Sequence, residues 1–198
     1  MGSALRVCGR AWGGSGDVAI FGVVTALDTL VVNGHGMYLS EGLEFLLNGQ
    51  PEKTLSLSVG QVVAVRAGLV NGVITANEIH ADDSAVGPID ALATDGSWLE
   101  VLGQRVVLGS YTRMELDQSR DGDTTLRIGD VVQISGLRHL DGMINATLVR
   151  TAGPTATYSV AGWAVRAANN AFFCRPIAVA DRRRGAKWRR PAKGYRDR

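Results

Sequence analysis

A chain of 198 residues that is 45% apolar and 20% charged is long enough for two or three small globular domains and too apolar for a disordered polymer. Its 25 glycines against 5 prolines point to many tight turns between short strands, the pattern of an all-β fold. The net charge of +2 conceals two unlike parts: residues 175–198 carry ten Lys/Arg and two Asp/Glu, a net of +8, while residues 1–174 carry eleven and seventeen, a net of −6, so no single partner chemistry follows from the whole-chain charge.

From the N-terminus, residues 1–19 read as a flexible segment, with Gly13-Gly14-Ser15-Gly16 as its linker. That glycine run lacks the Lys-Ser/Thr of a phosphate loop. The stretch MGSALRVCGRAWGGSGDVAI lacks the apolar core of a signal peptide, and no window approaches the ~20 apolar residues of a membrane span. Cys8 and Cys174 stand too far apart for a metal or redox motif.

Residues 20–83 form a first unit, with strands expected at 21–27, 29–33, 36–40, 61–68 and 72–80. Asn33-Gly34 and Asn71-Gly72 mark its hairpin turns, since both residue types tolerate positive φ. Residues 84–152 repeat the pattern, with strands expected at 87–93, 97–102, 105–109, 130–138 and 142–150 and turns at Asp95-Gly96 and Asp141-Gly142. The two units superpose in sequence at an offset of about seventy residues. LSVGQVVAVRAG (57–68) matches LRIGDVVQISG (126–136), and Gly60, Val63 and Val65 fall on Gly129, Val132 and Ile134. Leu30, Val32, Gly34 and Leu39 fall on Leu99, Val101, Gly103 and Leu108, and Gly22 to Leu27 on Gly87 to Leu92. Five short strands in about 65 residues bury a core most economically by closing into a small barrel, which also removes exposed edges. An OB-like barrel is the expected form, with an SH3-like barrel as the second. Residues 153–178 begin a third unit, Val160 to Val165 resembling the first strand of the others, but no second Leu-x-x-Gly-x-Val-Val half follows. The expected fold class is therefore all-β: two tandem five-stranded OB-like barrels, an incomplete third unit, and a basic, disordered tail over 179–198.

The segments GVVTALDTLVVNG (22–34), LSVGQVVAVRAG (57–68), VGPIDAL (86–92), LEVLGQRVVL (99–108) and LRIGDVVQISG (126–136) resemble a bacterial domain-of-unknown-function family of tandem OB-like repeats. The resemblance covers about residues 20–165. It implies an exported or cell-envelope protein, in the periplasm or envelope, although no signal peptide is visible in this sequence. It brings no catalytic residues with it.

Chemistry-bearing residues are sparse. His35, His80 and His139 occupy no equivalent positions in the two units and read as surface residues. Glu78, His80 and Asp82 would share one face of a strand, which is the best metal-like cluster, but the second unit has Leu148, Arg150 and neighbours there, and a solvated face leading into the linker is the preferred reading. Asp117 to Asp123 begins like a calcium loop, yet Ser119 and Ile128 stand where an EF-hand needs an oxygen ligand and its final Glu. There is no nucleophile elbow and no Ser-x-x-Lys. The expectation is thus a non-enzymatic binding or structural module with no cofactor and no metal, its partner an unknown protein or an envelope polymer. The alternative is a nucleic-acid-binding OB protein. Arg182, Arg183, Arg184, Lys187, Arg189, Arg190 and Lys193 surround Trp188, with Tyr195 beyond, and such a tail can neutralise phosphates and stack an aromatic on an unpaired base.

Overall fold

The computed structural model describes residues 17–117, 125–153, 156–166 and 172–175. Among them there is no helix, and the strands follow the turn chemistry of the sequence. In the first unit β1 (Asp17–Ala26), β2 (Leu30–Val32), β3 (His35–Leu47), β4 (Gln50–Glu52), β5 (Val62–Val70) and β6 (Val73–Ala81) run in order. Asn33 and Gly34 sit at φ 50° and 78° between β2 and β3, and Asn71 and Gly72 at 53° and 79° between β5 and β6. These left-handed pairs match the twist of the strands they join.

Five of the strands close on themselves. β1 pairs with β2, β2 with β3, β5 with β1 and β6 with β5, all antiparallel, and β3 completes the circuit by running parallel to β6. A parallel pairing of the third strand with the last, closing an otherwise antiparallel barrel, is the OB-like order rather than the SH3-like one. The second unit repeats it with β7 (Ala85–Leu92), β8 (Trp98–Val101), β9 (Gln104–Val107), β10 (Arg113–Glu115), β11 (Val131–Arg138) and β12 (Ile144–Thr151). Here β9 and then β10 run parallel to β12, sharing the place that the single long β3 holds in the first barrel.

The two cores are the same core. Val24, Val32, Met37, Val63, Val65 and Ile79 fill the first barrel, and Ile89, Val101, Val106, Val132, Ile134 and Val149 fill the second. Even the irregularities recur: register shifts fall at Val24/Ala26 and Ile89/Ala91, and at Arg66/Ala67 and Ser135/Gly136. Such bulges bend a strand enough to let a small sheet close.

The repeated Leu-x-x-Gly-(Gln/Asp) motif has a mechanical role. Gly60 and Gly129 adopt φ of 94° and 96°, which a β-carbon resists. The N–H of Gly60 donates to the Val24 carbonyl and the N–H of Val24 to the Gln61 carbonyl, each at 2.8 Å; Gly129, Ile89 and Asp130 do the same at 2.9 Å. The next side chain locks the turn from within, because Gln61 Oε1 accepts from the N–H of Ser58 at 3.2 Å and Asp130 Oδ2 from that of Arg127 at 2.7 Å. Each turn is thereby fastened to the first strand of its own barrel, at Val24 in β1 and Ile89 in β7.

The third unit builds no barrel among the described residues. β13 (Ser159–Val160) lies antiparallel on β7, opposite Val86 and Ala85, and β14 (Trp163–Arg166) pairs with β15 (Phe172–Arg175). Arg138 holds the start of this segment by donating to the Ala161 carbonyl at 2.9 Å, while its other nitrogen donates to Gln104 Oε1 and the Gly142 carbonyl. Residues 1–16 and the tail from 176 onward lie outside the described residues; the flexible segment expected over 1–19 is corrected at its end, where Asp17, Val18 and Ala19 pair with Gly68, Ala67 and Arg66 as the start of β1.

The two motif glycines differ in surroundings. A β-carbon on Gly129 would meet nothing within 4 Å, whereas one on Gly60 would lie 2.8 Å from the Thr147 carbonyl of the second barrel. Gly129→Ala is therefore expected to lose about 1–2 kcal/mol, the cost of the left-handed conformation, and Gly60→Ala distinctly more. Urea unfolding of the two variants measures the difference, and equal losses would contradict this role for the Thr147 contact.

Candidate functional site

The basic residues singled out in the sequence, Arg182, Arg183, Arg184, Lys187, Trp188, Arg189, Arg190 and Lys193, lie outside the described residues, as do Tyr195 and Cys8. Cys174 lies on β15, opposite Ala164. His35 opens β3 and is exposed, and His139 lies in the β11–β12 connection, where its backbone N–H donates to the Met143 carbonyl. Of the stretch Asp117 to Asp123 only Asp117 is described; it is exposed, and its N–H donates to the Thr151 hydroxyl at 3.0 Å, while Ile128, at the position of the final EF-hand Glu, is an exposed apolar residue.

The Glu78, His80, Asp82 cluster assembles only in part. Both carboxylate oxygens of Glu78 are engaged by protein, one with Arg66 Nε at 3.3 Å and the other with His80 Nε2 at 2.5 Å. β6 ends at Ala81, so Asp82 has left the strand that would have aligned it. Among the described residues no three His, Cys, Asp or Glu side chains converge.

The solvated face expected to lead into the linker is corrected at Asp83. This side chain is buried, with 3% of the residue exposed, between the two barrels. Its Oδ2 accepts from Asn48 Nδ2 at 2.9 Å and its N–H donates to Asn48 Oδ1 at 2.8 Å, a reciprocal clasp across 35 residues. Its Oδ1 faces Arg150 Nη2 at 3.7 Å, too long for a hydrogen bond. Burial pushes the Asp83 carboxyl above the ordinary carboxylate range, against the opposing pull of the Asn48 bond and Arg150, with Asp82 adding to the upward push. A polar seam continues from it. Ser84 donates to the Ile134 carbonyl through its N–H and to the Gly136 carbonyl through its hydroxyl, and the N–H of Val62 donates to Ser135 Oγ at 2.8 Å. Thr147 Oγ1 donates to the Ser135 carbonyl, so Ser135, Thr147 and Gly60 lie together where the barrels meet. Local sequence holds no signal for this seam, because every partner is distant in the chain.

The surface feature common to both barrels is apolar. One cavity of about 150 Å³ opens at the mouth of the first, lined by Leu27, Asp28, Leu30, Tyr38, Leu39 and Leu57 among others. A second of about 470 Å³ opens at the corresponding mouth of the second, lined by Leu92, Leu108, Met114, Leu116 and Leu126 among others. Leu27, Leu39 and Leu57 are the repeat equivalents of Leu92, Leu108 and Leu126. Leu27 is 46% exposed, Leu39 45% and Tyr38 66%, so the first mouth presents its apolar groups to solvent. The polar decoration differs between copies. Arg105 stacks its guanidinium 3.9 Å from the Trp98 ring centre on the β8–β9 hairpin, where the first barrel carries Gly36 and Thr29. The Leu102-Gly103 turn fixes the hairpin register that brings the pair together, with Trp98 opposite Val107 and Glu100 opposite Arg105; a diagonal of this kind could have been read once the turn was recognised.

The raised Asp83 carboxyl has a stability consequence. It contributes stability that is fully present below its unfolded value and is lost as pH rises through its folded value. The unfolding free energy of the wild type relative to Asp83→Asn should therefore fall as pH is raised from about 4 toward neutrality. A difference that stays flat or grows across that range would contradict the assignment.

Comparisons with curated proteins and with solved structures returned no match. The profile of a family described as a domain of unknown function (DUF5666) matches twice, over residues 21–80 and 86–150, one match for each barrel. With most of its length covered by these two copies, the chain belongs to the DUF5666 family.

Proposed function

We propose that this chain is a non-enzymatic binding and spacing module of a bacterial cell envelope, whose two barrels present their mouths and loops to a protein or an envelope polymer. The observation that carries this reading is what duplication kept. Core residues, turn glycines and the leucines at the barrel mouths recur in both copies. The polar groups that catalysis would need do not: Gln104 and Arg138 correspond to His35 and Leu69, and Trp98 and Arg105 to Thr29 and Gly36. Catalysis demands converging acids, bases or nucleophiles at fixed geometry, whereas binding through an apolar mouth demands only shape and exposed apolar surface. The envelope location rests on the family resemblance of the sequence. No helix of the described residues is long and apolar enough to cross a membrane.

A second reading, nucleic-acid binding, draws on the tail sequence and on Trp98 and Arg105, which lie on the second and third strands of an OB-like barrel, the face such barrels use for oligonucleotides. Co-sedimentation of the full chain with peptidoglycan sacculi and envelope fragments, set against retention on single-stranded oligonucleotides, separates the two. The envelope reading predicts saturable co-sedimentation that persists at physiological salt. Retention on oligonucleotide that falls steeply with salt and disappears on deletion of residues 181–198, with no envelope association, would instead establish the second reading.

A further inference from the structure

The first barrel and the C-terminal tail are complementary in two respects at once. Residues 20–83 carry seven Asp/Glu and two Lys/Arg, and one of those two, Arg66, is paired with Glu78. Residues 181–193 carry seven Lys/Arg and one Asp around a single large aromatic, Trp188. The second barrel, residues 84–152, is less one-sided, with nine Asp/Glu and six Lys/Arg. The most acidic part of the chain thus also carries one of the two apolar mouths, with Leu27, Leu39 and Tyr38 exposed around a cavity of about 150 Å³ and Asp28 in its lining. A cavity of that size and lining accepts an apolar group about as large as one aromatic ring.

We propose that the mouth of the first barrel holds the chain's own basic C-terminal segment, with the Trp188 ring among Leu27, Leu39 and Leu57. Arg189 or Arg190 then reaches the exposed face of Tyr38, the kind of cation–aromatic contact that Arg105 already makes with Trp98. Asp28 at the rim faces the flanking positive charges, and attraction between acidic barrel and basic tail draws the segment in. Thirteen residue steps separate Arg175 at the end of β15 from Trp188, a reach of up to about 45 Å, whereas a barrel of this size has a radius of gyration of about 11 Å. The larger mouth belongs to the less acidic second barrel and is not part of the proposal. The assignment rests on the reading of the barrels as binding modules and names the ligand chemistry one of them takes: an aromatic side chain embedded in basic peptide.

Methyl NMR of the full chain tests it. At low salt the leucine methyls of Leu27 and Leu39 in the wild type should show upfield ring-current shifts that vanish in Trp188→Ala and at high salt, while core methyls such as those of Val63 and Val132 stay unchanged and report an intact fold. Arg189→Ala with Arg190→Ala should weaken the shifts without abolishing them. Identical Leu27 and Leu39 spectra in wild type and Trp188→Ala at low salt would overturn the proposal. So would a Trp188 indole that responds only to an added single-stranded oligonucleotide. If the methyls ignore Trp188 but move on addition of soluble peptidoglycan fragments, the tail assignment fails while the binding-module reading stands.

Discussion

In each barrel two backbone hydrogen bonds tie the turn before the fourth barrel strand to the first strand, and the remaining architecture depends on them. Val24 and Ile89 are the anchor points, and Gly60 and Gly129 are the residues that must turn left-handed to reach them. Both bonds span long stretches of chain, so they bring together segments that no local propensity would join. Once the turn is fastened, β5 or β11 is delivered antiparallel to the first strand, the bulge next to the anchor bends that strand toward its hairpin partner, and the parallel contact with the last strand can close. Gln61 and Asp130 differ in length and charge yet cap the same turn in the same way, which explains why the motif tolerates either residue while keeping its glycine.

Duplication set the level at which the sequence could be read. Gly60 and Gly129, or Val63 and Val132, stand out because the same demand is met twice, and the strands built on them lie within a few residues of the positions expected from pattern alone. What escaped were features present once or made at a distance. β3 was expected to end at 40; the strand instead crosses a register shift between Leu39 and Glu44 and continues to Leu47, burying Phe45. The Asn48-Gly49 turn that opens the short β4 is explicit in the sequence but has no second copy to draw attention to it. Leu102 takes a left-handed φ of 50° where the first unit has Asn33, and it lies over Gly87, where a β-carbon would come within 2.7 Å of its side chain. Asp83 was legible only as a charge in a short linker, since its burial comes from Asn48 and Arg150.

The division between what is shared and what is private also organises the functional surface. Shared residues make the barrel and its apolar mouth. Private polar residues fasten the barrels to each other and to the strand β13 beyond them. Asp83, Ser84 and Ser135 belong to the junction, and Arg138 and Gln104 to the segment after Thr151. A duplicated barrel can thus vary its rim and its neighbours without disturbing closure.

The central claim is that the glycine turn pinned to the first strand closes each barrel. Native-state hydrogen exchange of the amides of Val24, Gly60, Ile89 and Gly129 tests it most directly. The account predicts that these four, two of them in what looks like a surface turn, are among the most protected amides of their barrels and exchange only when the barrel opens as a whole. Exchange of Gly60 and Gly129 at the rate of ordinary loop amides, while the core amides of Val65 and Ile134 remain protected, would contradict it.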